Sequence, residues 1–194
     1  MKRARGSLAA LALLLALSVV GCSGKPYWVR NQAPKNPDPD KLYAVGIAPK
    51  GLNERMQLTT ARTRAKQELA SNIDTYVAEL VKDFMQTAQD FAGDGSADSS
   101  IAFTSAVRKT VTAAKVRGVQ ELDKYKEEDG TLNILMAVPK SAIHEHMIDR
   151  ANQLARMREA QAKTKPKAEA EKMIEQTNEA LGDLKEFIDK KEAT

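Results

Sequence analysis

Between Asn53 and Phe91 the apolar residues Ala61, Ala65, Leu69, Ile73, Val77, Leu80, Phe84 and Ala88 recur every three or four positions. That spacing gathers them in one stripe along a helix, while Arg62, Lys66, Glu79 and Lys82 occupy its other face. No Pro or Gly interrupts the stretch, so at about 1.5 Å per residue the helix runs on the order of 55 Å and overhangs any small sheet it covers. The pattern changes period on either side. In "KLYAVGIAPKG", Tyr43, Val45 and Ile47 alternate with Ala44, Gly46 and Ala48, which predicts a strand whose two faces differ in bulk, closed by Pro49 and Gly51. In "KEEDGTLNILMAVPK", an Asp-Gly turn precedes Leu132, Ile134, Met136 and Val138, alternating with Thr131, Asn133, Leu135 and Ala137.

Two stretches are less simply patterned. "GDGSADSS", residues 93–100, ends the long helix with turn formers and is expected to be a surface loop. Ile101, Ala106, Val107, Val111 and Ala114 then have helical spacing, and Gly118, Val119 and Leu122 would prolong a helix to about Tyr125. The strand beginning near Thr131 needs a hairpin partner, however, and only residues 116–126 lie close enough in sequence to supply one, so helix and strand compete there. The C-terminal third is helical and charged. Ser141 is placed as an N-cap ahead of the stripe Ile143, Met147, Ala151, Leu154 and Met157. After Pro166, Ile174, Thr177, Leu181, Leu184 and Ile188 fit a and d positions over two heptads, too few for a convincing coiled coil, so packing on the chain's own helices competes with self-association.

The N-terminus follows another logic. Lys2, Arg3 and Arg5 lead into the apolar run Leu8 to Val20, too short to span a hydrocarbon layer about 30 Å thick but suited to a secretory signal. These three cations carry most of the formal charge of +4; without them it is +1, which removes the main support for a nucleic-acid-binding surface. In 194 residues, with 42% hydrophobic content and only four Phe, four Tyr and one Trp, the core is small and largely aliphatic. The single cysteine, Cys22, excludes a disulfide framework within the chain. It closes the sequence Val19, Val20, Gly21, Cys22, which resembles the lipobox of bacterial lipoproteins. That resemblance implies cleavage between Gly21 and Cys22, a diacylglycerol on the sulfur and acylation of the new amino group. Two or three chains, at about 0.8 kcal/mol per buried methylene, make a lasting anchor where one does not. Ser23 and Gly24 lack the aspartate that marks inner-membrane retention in enteric-type lipoproteins, so the resemblance points to the outer membrane.

Residues 1–21 are thus expected to be a signal peptide and residues 22–41 a lipidated, Pro-rich tether with an extended chain. Tyr27 and Trp28 interrupt its polarity, and either rest among lipid headgroups or fold back on the domain as a clamp.

Chemistry-bearing clusters are sparse. His144 and His146 lie two apart on an expected helix, facing different directions, and are read as surface residues rather than metal ligands. Asp94 and Asp98 lack the spacing and terminal Glu of a calcium loop. "VGIAPKG" has a Pro and too few glycines for a phosphate loop, and no nucleophile elbow or Cys-His pair is present. Lys163, Lys165 and Lys167 have no interleaved aromatics and are read as a solvated linker.

"KPYWV", a Pro- and Asp-containing spacer, "LYAVGIA", the helix with "ARTRAKQELASNI", and "VRGVQELDKYKEEDGTLNILMAVPK" together resemble the LPP-twenty lipoprotein family over residues 25–140. The resemblance implies an α+β fold: a small strand-helix-strand-strand antiparallel sheet packed by a long helix. It assigns residues 116–126 to a strand and favours the clamp for Tyr27 and Trp28. Residues 42–140 then form the domain and residues 141–194 a C-terminal helical extension. The resemblance also implies membership among outer-membrane lipoproteins with flagellum-associated relatives. The anchor, the tether and the lack of catalytic clusters in the sequence lead to the expectation of a non-catalytic lipoprotein, without cofactor or metal, facing the periplasm and acting as an envelope scaffold or assembly factor. Protein partners or self-association are expected. A lipid-anchored periplasmic adaptor that grips peptidoglycan is the alternative.

Overall fold

A computed structural model of the chain describes residues 24–91, 96–111 and 116–193. The order of elements is α1 (Tyr27–Asn31), β1 (Lys41–Ala48), α2 (Glu54–Phe91), α3 (Ser96–Thr110), β2 (Gln120–Lys126), β3 (Leu132–Pro139), α4 (Lys140–Ala162) and α5 (Lys167–Glu192). The three strands form one antiparallel sheet in the order β1-β3-β2, so the fold is α+β, with the expected strand-helix-strand-strand core.

The central strand β3 is buried on both faces, and alternation assigns each residue to one of them. Leu132, Ile134, Met136 and Val138 join α2 in the main core, whereas Leu135 belongs to a smaller cluster with Trp28 and Val45. β1 divides likewise. Its small residues Ala44 and Ala48 lie in the main core opposite Ala61 and Ala65 of α2, and Tyr43, Val45 and Ile47 take the other face. The difference in bulk seen in the sequence is what lets α2 approach the sheet closely. The Asp-Gly turn also forms as expected: Gly130 adopts φ +90°, its amide donates to the Glu127 carbonyl at 2.9 Å, and Asp129 accepts from the Thr131 amide at 2.8 Å.

Beyond the sheet, the far half of α2 is buried through Val77, Leu80, Val81 and Phe84 in the core cluster that also contains residues of α3, α4 and α5. Phe84 meets Phe187 of α5 edge-on, with centroids 5.4 Å apart. α5 packs on both α3 and α4, so the C-terminal helices share one continuous core with the sheet domain.

Several local expectations change. α3 starts at Ser96, so much of the expected loop 93–100 is helix, and Ser100 is buried, donating to Asp183 of α5 at 2.8 Å; residues 92–95 lie outside the described residues. α3 stops at Thr110 and Gly118 at φ +84° turns the chain into β2, so the competition between helix and strand over residues 116–126 ends in a strand that covers Gln120–Lys126. Its core residues are Phe103, Thr104 and Val107; Ala106 is only half-buried, and Ala114 lies outside the described residues. Ser141 is not the N-cap of α4, which begins one residue earlier, with Pro139 at the cap position and no side-chain cap bond. Met157 is exposed because the buried line drifts to Ala155 and Ala162, and in α5 Ala180 and Phe187 are buried where Ile174 and Leu181 are half-buried. The tether is not wholly extended: residues 27–31 form a helical turn after Pro26, ended by Gln32 in the left-handed region at φ 55°.

Candidate functional site

Among the described residues, two clusters each join several polar side chains from distant parts of the chain. The first lies where α2, the start of α4 and the end of α5 meet. His144, on the first turns of α4, is buried, contrary to its expected place on the helix surface. Helical spacing alone points it away from Ile143, but α5 returns across that side and covers it. Its Nδ1 lies 2.9 Å from Oε1 of Glu192 and its Nε2 lies 2.7 Å from the Tyr76 hydroxyl. A carboxylate only accepts, so Nδ1–H donates to Glu192; in the neutral ring Nε2 then accepts from the Tyr76 O–H. The Tyr76 and His144 rings stack with centroids 5.8 Å apart, and the Lys140 ammonium stands 5.3 Å from the Tyr76 centroid.

This relay floors a cleft of about 930 Å³ whose walls include Asp40, Lys41, Asp83 and Lys191. Lys191 bonds Asp83 at 2.9 Å, a second tie between α5 and α2. Burial, followed by the nearby carboxylates Glu192, Asp40 and Asp83, pushes the Tyr76 phenol up to about 12, so it stays protonated in neutral water. With both ring nitrogens of His144 engaged, no lone pair of the imidazole is open to a metal or substrate in this arrangement. What the relay does chemically is fasten the last turn of α5 to α2 and α4.

The second place is the face of the sheet opposite α2. Trp28 is 7% exposed, packs with Val45 and Leu135, and donates its indole N–H to Asp123 of β2 at 2.9 Å. Tyr27 beside it remains 42% exposed. The two alternatives posed by this aromatic pair are therefore divided between its members: Trp28 clamps and Tyr27 faces outward. Lys25 pairs with Glu127, which also accepts from the buried Asn133 at 2.9 Å. These partners, Lys25 first, hold the Glu127 carboxyl below the usual glutamate range. Further along, the Tyr43 hydroxyl accepts from the Asp38 amide at 3.1 Å, and Asp38 pairs with Lys41 at 2.9 Å. The tether is bound to the domain along much of its length.

The remaining sequence candidates are dispersed. Gly21 and Cys22 lie outside the described residues, as does Asp94. Asp98 is exposed in the first turn of α3. His146 is half-buried beside a smaller cleft of about 420 Å³ with Arg117, Glu145, Asp149 and Arg150. Lys165 and Lys167 face Glu169 and Glu171 at 3.4 and 3.9 Å, and Lys163 is exposed in the turn between α4 and α5, so the basic patch is largely balanced by acids one turn away. Among the described residues no group of three or more His, Cys, Asp or Glu is placed to hold a metal ion, and no helix is long and apolar enough to cross a membrane. Sequence reasoning missed Tyr76 and Glu192 as partners of His144 because they lie 68 and 48 residues from it. It missed Asp123 for the same reason, at 95 residues from Trp28. No family model, no curated protein and no solved structure matches the chain.

Proposed function

We propose that this protein is a non-catalytic lipoprotein of the outer membrane, anchored through acylated Cys22, facing the periplasm and serving as a scaffold or assembly factor of the cell envelope. The observation that carries this is the way the chain is seized just after the lipobox: Lys25 and Trp28 are fixed to the hairpin and sheet by Glu127 and Asp123. An anchored scaffold would transmit load from the acyl group to its core through such a fastening. The relay at His144 supports the same view, since its groups are spent on each other and on joining helices. The resemblance of residues 25–140 to LPP-twenty lipoproteins points the same way and adds an association with the flagellum.

Metabolic labelling with a fatty acid tests the anchor. Wild-type protein takes up label and fractionates with outer membranes, and Cys22→Ala does neither; equal labelling of both overturns the proposal. A deletion strain that swims normally with intact basal bodies removes the flagellar part. Retention on purified cell wall comparable to that of known wall binders would replace the scaffold by the peptidoglycan adaptor.

A further inference from the structure

We infer that the α1-covered face of the sheet, together with the tip of the β2–β3 hairpin, lies directly against a phospholipid leaflet, with Tyr27 and Arg30 at headgroup level. This orientation rests on the lipid anchor proposed above and adds to it which face meets the bilayer. The length of free chain is what decides. Had residues 22–41 been a loose tether, its end-to-end distance would be on the order of 25 Å and the domain would tumble beneath the membrane. Instead the chain is already tied to Glu127 at Lys25, three residues after Cys22. Three residues reach at most about 10 Å when fully extended. The polar layer of a leaflet is roughly 5–8 Å deep, so while the Lys25–Glu127 pair is closed the hairpin tip stays within a few side-chain lengths of the headgroup zone. When that exposed pair opens, the buried Trp28, six residues after Cys22, keeps the α1 face within about 20 Å of it.

The surface held there suits that place. Tyr27 is an exposed aromatic with a polar tip, the kind of side chain enriched at membrane interfaces. Arg30, also exposed, follows on the same short helix and can meet phosphate. At the hairpin tip the acids Glu127, Glu128 and Asp129 are balanced by Lys25, which pairs with Glu127, by Lys50, which acts on Asp129, and by Lys124 and Lys126. With its charges balanced, this face needs no anionic lipid, and a zwitterionic leaflet suffices to hold it. α4 begins at the other end of the sheet, after Pro139, and packs onward against α3 and α5, which carries the turn between α4 and α5 away from the hairpin.

The test uses the full lipidated chain in vesicles of phosphatidylethanolamine and phosphatidylcholine, with a nitroxide placed by Arg30→Cys or by Lys163→Cys, Cys22 being blocked by its acyl groups. The expected result is a loss of collisions with a water-soluble nickel complex at position 30, with gain of collisions with dissolved oxygen, while position 163 behaves as in water. Adding Asp123→Ala to the Arg30→Cys protein loosens the clamp without removing Trp28 from the core, and restores part of the nickel collisions. Equal water exposure at 30 and 163 in protein whose acyl groups are verified by mass overturns the orientation and leaves the anchor standing. Absence of acyl mass on Cys22 overturns both. A label at 30 that enters the interface only in phosphatidylglycerol vesicles overturns the assignment to a zwitterionic leaflet.

Discussion

Gly46 of β1 lies so close to Ala61 of α2 that a methyl group on Gly46 would stand 2.0 Å from the Ala61 carbonyl oxygen and 2.2 Å from the Ala65 amide nitrogen. Both obstacles are backbone, so neither can rotate away. Gly46→Ala must push α2 off the sheet and part the Ala61 and Ala65 layer. The expected cost is about 3 kcal/mol, or a fall of about 10 °C in Tm for a domain of this size. Gly182 of α5 is the internal control: a methyl group there meets nothing within 4 Å, and Gly182→Ala gains about 1 kcal/mol from helix propensity. Thermal melts of the two variants check the contrast, and a Gly46→Ala protein as stable as wild type would disprove the close packing of α2 on β1.

The small face of β1 was legible because strand alternation is a local property, and so was α2, whose stripe from Ala61 to Ala88 runs unbroken for about eight turns. β2 was not legible locally. Gln120–Lys126 is an edge strand exposed along nearly its whole length, with Leu122 at an irregularity between Glu121 and Asp123, so it lacks the apolar alternation that marks a strand. Its assignment came from the need of β3 for a partner and from the resemblance to known lipoproteins. His144 failed for the opposite reason: its helix was placed well, but the element that buries it arrives from the far end of the chain. Periodicity reports which face of a helix is apolar, not which polar residue another helix will cover.

Trp28 and Asp123 should behave as a coupled pair. Trp28→Phe keeps most of the packing on Val45 and Leu135 but removes the indole donor, and Asp123→Ala removes the acceptor. In a double-mutant cycle followed by urea denaturation and circular dichroism, a coupling of about 1 kcal/mol is expected. Purely additive losses would mean that the bond does not hold the N-terminal segment.

Acid should loosen the same region first. Glu127 is held below the usual glutamate range by Lys25 and Asn133, and Asp129 is lowered by the Thr131 amide and hydroxyl. For a carboxyl depressed in the folded state, the unfolded chain binds more protons at low pH, so the stabilisation is present above the ordinary carboxylate value and is lost as pH falls through the folded one. Hydrogen exchange near Lys25 and the hairpin turn is expected to quicken below about pH 4, ahead of the sheet centre. Glu127→Gln retains an acceptor for Asn133 but not the charge, and flattens that response; an unchanged acid profile in the variant would assign the effect elsewhere.

Alkali probes the relay at the other end. Tyr76, pushed up to about 12, favours its protonated form in the folded protein. The unfolded chain releases that proton near the ordinary value of about 10, so stability is unaffected below this value and declines as pH rises from there through the folded one. The tyrosinate ultraviolet titration of the native protein should show one late-titrating phenol, and Tyr76→Phe should remove that late step and weaken the alkaline decline. If the late step persists in Tyr76→Phe, the shielded phenol is a different one.

The outer edge of β1 carries the last prediction. An edge strand offers unpaired backbone groups to any passing strand, and here two of its carbonyls are occupied by side chains of α2: Asn72 donates to the Tyr43 oxygen at 2.9 Å and Arg64 to the Ile47 oxygen at 2.7 Å. β2, the opposite edge, is protected differently, by its irregularity at Leu122 and by Lys124 and Lys126. Removing both caps with Arg64→Ala and Asn72→Ala frees two acceptors in register on one strand and also deletes the cation that flanks them. Neither change touches the core, since both residues lie outside the apolar stripe of α2. The double variant is therefore expected to keep a helical circular dichroism spectrum while its sedimentation coefficient rises with concentration, because paired β1 edges form a dimer that each single variant forms less. A double variant that melts early without associating would show instead that these bonds hold α2 on the sheet rather than shield the edge.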